Sequence, residues 1–418
     1  VHDIRVRPEL VVGAKESALA EMVDVGVGEF AHELNRTLLS VACSALAESI
    51  NVMNMSGSTD IVQTVSARAL VPIIIGHRGA SGYVPEHTLA SYFLAIQQGA
   101  DFVEPDLVST RDGVLVARHE NEIGGTTDVE SHLEFADRRT TKLIDGVSIE
   151  GWFTEDFTLE ELKLLRARER IPQLRPANAR FDGQFEIPTL DEILDLVHGA
   201  DMVRAHSARA RHEPAPQRIG VYPETKHPSY FSGIGLGLEE PLLDALGRHG
   251  AGDRQAPIFI QSFESGNLKA LRTMTDIPLV QLVAANGAPF DWVAAGDPRN
   301  YAGMVTRRGL AQVASYADAV GVEKTLVIPR TAQDTLGSPT GLVDDAHAQG
   351  LLVHAWTFRA ENHFLPAPLR SGSNPADLGD LARELRAYLK AGLDGIFVDQ
   401  PLLGARARDA LLTAIEPS

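Results

Sequence analysis

The chain has 418 residues, 44% of them hydrophobic and 22% charged, an ordinary balance for a soluble globular protein. Its 38 Lys and Arg stand against 56 Asp and Glu, a formal charge of −18 with no basic run, which argues against nucleic-acid binding. A single cysteine, Cys43, rules out an intrachain disulfide, and no run reaches the roughly 18 apolar residues of a membrane span.

Residues 1–70 show no clear alternation and read as an N-terminal extension, partly helical and of a composition compatible with disorder. Within it, residues 37–47 (TLLSVACSALA), preceded by Arg36, have the length of an export-signal core. Ala67-Arg68-Ala69 resembles a small-x-small cleavage site. Against this, the run lies deep in the chain, behind Asp24, Glu29 and Glu33, and Val1 leaves the true start open. A decayed export signal and an amphipathic helix therefore stand side by side; the first places the protein outside the cytoplasm, the second inside it. Ser40-Val41-Ala42-Cys43 has Ser rather than Leu three residues before the Cys, which weakens a lipoprotein reading.

The fold is expected to start at Pro72. Ile73-Ile74-Ile75, stopped by Gly76, reads as a buried strand with His77 and Arg78 at its C-terminal end. Residues 88–98 have helical spacing, closed by Gly99. Residues 102–108 (FVEPDLV) form a second strand, and residues two apart on a strand face the same way, so Glu104 and Asp106 converge. Thr110-Arg111-Asp112-Gly113 is a turn. Residues 114–118 should double back from it as a hairpin arm and carry His119 to the same cluster.

Taken alone, Gly-His-Arg-Gly is a satisfied loop and Glu-x-Asp a solvated face. Here the carboxylates are flanked by Phe102, Val103, Leu107 and Val108, which read as core. Two carboxylates brought together in an apolar setting repel and lose hydration unless a cation lies between them, so the pattern points to a metal. HRGASGYVPEHT, then EPDLV, then DGVLVARHEN, in this order and spacing, resembles the glycerophosphodiester phosphodiesterase family. It looks most like the longer bacterial members, which carry a large insertion after the second histidine. The resemblance runs from Pro72 to the C-terminus.

Beyond His119 the pattern changes. Residues 121–185 hold no long apolar strand; 124–128 and 137–140 read as loops. Thr158-Leu159-Glu160-Glu161 is a capping box opening a helix through Arg168, and Thr189 caps another ending near Gly199. The segment from about 120 to 185 should form a cap beside the site. Strands then alternate with helical sequence: 219–224, 257–263, 279–283, 319–322, 351–358 and 395–398, with helices at 241–248, 341–349 and 378–391. With the first two, that makes eight strands and implies an α/β fold, a (β/α)8 TIM barrel filling residues 71–418. His77, Glu104, Asp106, Glu224, Gln261 and Trp356 all fall at strand C-terminal ends, where barrel enzymes keep their sites.

Glu104, Asp106 and Glu224 offer three hard oxygen ligands, a set suited to one Ca²⁺ or Mg²⁺. Arg78 and Lys226 are candidate phosphate donors, Gln261 a candidate partner for a substrate hydroxyl or for water on the metal. Trp356 and Phe263 are placed as walls of a glycerol pocket, a core role standing beside this for Phe263. His77 and His119 have the titration range for general acid and base, and nothing in the sequence assigns one role to either. His87, His132 and His354 lie outside the motif positions and are set aside as structural. The resemblance implies a divalent cation on the three carboxylates and hydrolysis of small glycerophosphodiesters to glycerol 3-phosphate. In that mechanism the substrate's own 2-hydroxyl attacks phosphorus, through a cyclic phosphate. Two other functions compete. Phospholipase D-type hydrolysis of lysophospholipids would want an apolar groove, and 121–185 is polar. A non-catalytic phosphoester-binding module would have lost a histidine or a ligand, and all are kept.

Overall fold

The computed structural model describes residues 71–415. The extension, its export-signal candidates and Cys43 lie outside the described residues.

The strand segments are β1 (Ile73–His77), β2 (Phe102–Glu104), β3 (Asp106–Ser109), β4 (Leu115–Ala117), β5 (Thr140–Ile144), β6 (Val147–Gly151), β7 (Gly220–Val221), β8 (Glu224–Thr225), β9 (Ile260–Ser262), β10 (Leu279–Val283), β11 (Ala319–Glu323), β12 (Leu352–Phe358) and β13 (Gly395–Val398). β2 and β3 are one strand interrupted at Pro105, which has no N–H to give the ladder. β7 and β8 are likewise one strand interrupted at Tyr222-Pro223. Each half finds its own partner, β2 beside β7 and β3 beside β8. Parallel pairing then runs from β8 through β9, β10, β11, β12 and β13 to β1, and β1 pairs with β2. The sheet therefore closes, and the expected eight-stranded β/α barrel is present. β4 lies antiparallel to β3 as its hairpin arm, with Leu107 opposite Ala117.

A helix follows each barrel strand: Leu89–Gln97, Leu190–Ala210, Glu239–Arg248, Ser265–Arg272, Arg307–Val313, Leu342–His347, Leu381–Lys390 and Pro401–Ile415. Inside the barrel, Ile75, Phe102, Tyr222, Val280, Ala319 and Phe397 form a buried cluster. Tyr222 packs 5.0 Å from Phe397 and 5.1 Å from Phe259, centroid to centroid, and its hydroxyl pairs with His354 Nδ1 at 2.7 Å. Burial holds the His354 pKa down at about 4, so it serves as a neutral filler, in keeping with a structural role. Gly395 is required beside it, since a Cβ there would fall 2.7 Å from the imidazole.

Three expectations need correcting. The Thr158 capping box forms, yet its helix spans only Leu159–Leu162. Ala167 N–H donates to Phe185 O and Arg168 N–H to Thr126 O, so the backbone is taken up by tertiary bonds instead of a helix reaching Arg168. The Thr189 helix continues through Gly199 to Ala210. Residues 137–140, read as a loop, instead carry the end of a 3-10 helix (Leu133–Arg138) and the start of β5, which pairs with β6 around Asp145-Gly146, both at positive φ (47° and 79°). An Asp-Gly pair is a strong signal for this turn. The flanking strands lack alternation because both faces are largely exposed.

Candidate active site

Ladder register assembles the site. His77 on β1 is opposite Glu104 on β2, Asp106 on β3 is opposite Glu224 on β8, and Glu224 is opposite Gln261 on β9. Adjacent strands are under 5 Å apart, so these side chains meet without any loop having to deliver them. They line a cavity of about 340 Å³ at the C-terminal end of the barrel, together with Arg78, His119, Phe263, Trp356, Lys324 and Arg359.

Glu104, Asp106 and Glu224 each offer an oxygen within 4.8 Å of the others, and all three are buried. Glu104 accepts from Arg78 N–H through Oε2 at 2.8 Å and from Gln261 Nε2 through Oε1 at 3.0 Å. Asp106 accepts from His87 Nε2 through Oδ2 at 2.9 Å, while its Oδ1 is buried with no partner. Gln261 Oε1 is also buried and unpartnered. Unpaired buried oxygens beside crowded carboxylates are costly in themselves. Burial, then repulsion from Asp106 and Glu224, pushes Glu104 well above the usual carboxylate range; burial likewise lifts Glu224, to about 8. An all-oxygen set with an unused Asp106 oxygen fits a hard divalent cation.

Both histidines have a carboxylate behind them. His77 Nδ1 lies 2.7 Å from Asp399 Oδ1. A carboxylate only accepts, so Nδ1 carries the proton and Nε2 is left for exchange, 3.5 Å from Thr357 Oγ1. Burial, then the Arg78 charge, hold the His77 pKa at about 4 against the pull of Asp399. His119 Nδ1 lies 2.6 Å from Glu120 Oε1, at ion-pair distance without hydrogen-bond alignment, and its Nε2 lies 3.4 Å from Lys226 Nζ. Burial, then Arg78 and Lys226, keep His119 well below the usual imidazole range. Glu120 continues to His227 Nε2 at 3.2 Å, and His227 Nδ1 to Asp145 Oδ2 at 2.6 Å, in the β5–β6 turn.

Arg78 stands in a tight turn with φ at 57°, followed by Gly79 at 87°. A Cβ on Gly79 would strike Ser91 at 2.4 Å, so the turn needs glycine here. The Arg78 guanidinium is steered by Glu86 Oε2 at 2.9 Å and Asp106 at 3.4 Å. Phe263 and Trp356 meet edge to face at 5.8 Å, and Trp356 Nε1 donates to Gly321 O.

The sequence profile of the Glycerophosphoryl diester phosphodiesterase family matches residues 77–403. The chain belongs to that family. It is 33% identical over 341 residues to a glycerophosphodiester phosphodiesterase of Arabidopsis thaliana, GDPD6, covering 78% of this chain and 83% of that one. Over 392 residues it is 28% identical to the Haemophilus influenzae glycerophosphodiester phosphodiesterase, covering 88% and 97%. Among solved structures, the Oleispira antarctica phosphodiesterase in complex with the product sn-glycerol-3-phosphate superposes with a TM-score of 0.52 at 21% identity, covering 81% of this chain and 97% of that one. That likeness is one of fold.

In this family member the residues expected from sequence all line the cavity except Lys226. Lys226 is buried beside it, with Nζ 2.9 Å from Glu224 Oε1 and 3.4 Å from His119 Nε2. Asp399, Arg359 and Lys324 were missed, although each directly follows a strand, the signal that picked out Glu224. His87, set aside as structural, is fully buried and holds Asp106, with Tyr92 Oη on its other nitrogen at 2.7 Å. Arg170 and Arg175 enter from the insertion, Arg170 onto Glu86 and Arg175 onto Asp399, and no sequence pattern marked either.

Proposed function

We propose that this enzyme hydrolyses glycerophosphodiesters to glycerol 3-phosphate and an alcohol in a divalent-cation-dependent reaction, with His77 and His119 as general acid and base. One observation carries the reading: two carboxylate-backed histidines share a cavity with three buried carboxylates and Arg78. Glu104, Asp106 and Glu224 would hold the cation, Ca²⁺ or Mg²⁺, which when bound offsets the charge of the phosphodiester and its more negative transition state.

The chain's own residues do the rest. Arg78 presents a planar donor fork, its far side already oriented by Glu86, to the non-bridging phosphate oxygens. Lys226 pairs with Glu224, opposing the upward pull of burial on that carboxylate, and adds positive charge beside His119. Trp356 and Phe263 pack on the glycerol carbons and limit water. Among the described residues no Ser or Cys lines the cavity, and we take water or the substrate, rather than the Thr325 or Thr357 hydroxyl, as the attacking group. The substrate's glycerol 2-hydroxyl has the entropic advantage. One histidine takes its proton as the new P–O bond forms; the other gives a proton to the departing alcohol oxygen as the old bond breaks. The resulting cyclic glycerol phosphate is opened by water with the two roles exchanged, which restores both histidines.

The test is to strip the protein with a chelator and incubate it with glycerophosphocholine, alone and with added Ca²⁺ or Mg²⁺. Glycerol 3-phosphate should form only with a cation. Equal formation after chelation would remove the cation from the reaction, and no formation under any condition would remove the substrate class.

A further inference from the structure

Arg175 stands at the start of a short insertion helix, Pro176–Ala179. Its guanidinium is buried and reaches the barrel mouth without lining the cavity. Nε donates to Glu361 Oε1 and Nη2 to Asp399 Oδ2, each at 2.5 Å. Nη1 donates to Ser81 O at 2.9 Å, and Asn178 Nδ2 donates to the same oxygen at 3.0 Å. Ser81 Oγ in turn donates to His77 O at 2.8 Å. The insertion therefore holds His77 from two sides, through the ring partner Asp399 and through the backbone beside it.

We propose that Arg175 is a positioning residue for His77, fixing through Asp399 the ring orientation and the Nδ1–H form that leave Nε2 free to move a proton. The inference rests on the reading of His77 as an acid–base residue. The physical argument is rotational. A carboxylate turns about its last bond unless both oxygens are held. Arg175 and Arg359 pin Oδ2, Arg359 through Nε at 3.0 Å, and this presents Oδ1 to His77. The groups facing His77 are Asp399, Arg78, Arg359 and Thr357. Asp399 is the one among them bonded to Nδ1. Arg175 spans Glu361 and Asp399 because its fork donates in two directions; a lysine in its place is a point charge that does not reproduce the pair.

The test compares wild-type protein, His77→Ala, Arg175→Lys and the double variant Arg175→Gln/Glu361→Gln. The double variant removes the cation together with one of its anions, and so keeps the test available if the single variant does not fold. Folding is checked by thermal melts, and activity on glycerophosphocholine with Ca²⁺ is read as separate kcat and KM. For a partner that orients a functional histidine, kcat should fall about 10- to 100-fold in the folded Arg175 variants. KM should stay within about twofold of wild type. ¹⁵N-histidine NMR should show the Nδ1–H form of His77 in wild type and a mixture of both neutral forms in the variants. Folded variants with wild-type kcat and an unmixed His77 spectrum would overturn the inference. Full activity in His77→Ala would instead overturn the reading beneath it.

Discussion

Asp106 and Glu224 are ladder partners on adjacent parallel strands, so their carboxylates are fixed side by side by the barrel itself. Burial and repulsion from Asp106 push Glu224 up, to about 8, with Lys226 opposing them, and a bound cation would offset the crowding further. Adding Ca²⁺ or Mg²⁺ to chelated protein should therefore raise the melting temperature. At about 100 times Kd the gain is roughly 2.7 kcal/mol. Asp106→Asn should remove most of that cation-dependent rise. A melting temperature that ignores the cation would contradict the assignment of these ligands.

His87 fixes Asp106 Oδ2 and is itself fixed by Tyr92. Such partners orient a ligand and raise its basicity. His87→Ala should weaken cation affinity by about 10- to 100-fold while the protein still folds. Titration calorimetry of the stripped protein measures this, and an unchanged Kd would reduce His87 to packing.

His77 and His119 differ in surroundings, one paired with a buried Asp399 and the other with a partly exposed Glu120. His77→Ala and His119→Ala should each lower turnover by roughly 10²- to 10⁴-fold, the range for general acid–base residues. Stability should change little, because both line the cavity rather than the packed barrel interior. Near-normal turnover in either variant removes that residue from the mechanism.

The insertion is tied down by a pH-sensitive contact. Burial lowers the His227 pKa, but hydrogen bonds to Asp145 and Glu120 outweigh it and raise the value from 6.5 to about 9. Stability from this charge is fully present below pH 6.5 and is lost as pH rises through 9. Asp145→Ala should thus lower the melting temperature clearly near pH 6 and hardly at all near pH 10. Calorimetry at the two pH values decides; an equal drop at both would mean the contact carries no charge dependence.

The sequence made the barrel legible because buried strands leave apolar runs and their ends leave polar residues. Glu104 and Asp106 were read as sharing one face of one strand. Pro105 in fact divides that strand, yet both side chains still point to the cavity because each half keeps its pairing. The caps at Thr158 and Thr189 were local and readable. The length of the helix behind Thr158 was not, since Ala167 and Arg168 bond to distant backbone at Phe185 and Thr126. Arg175 and Asp399 are 224 residues apart, and local sequence gives no sign of such a pairing. Lys226 was expected as a candidate phosphate donor; its Nζ lies 2.9 Å from Glu224 Oε1, so it is also a partner of that carboxylate.

The most direct test of the mechanism concerns the nucleophile. Glycerophosphocholine and its 2-deoxy-glycerol analogue should be compared under the same cation, with choline release as the readout. Headgroup identity is shared, so only the internal hydroxyl differs. The account predicts that the analogue binds and turns over at least roughly a thousandfold more slowly, the loss expected when an intramolecular attack is removed. Comparable rates on the two substrates would mean that water attacks phosphorus directly, and would contradict the cyclic-phosphate route.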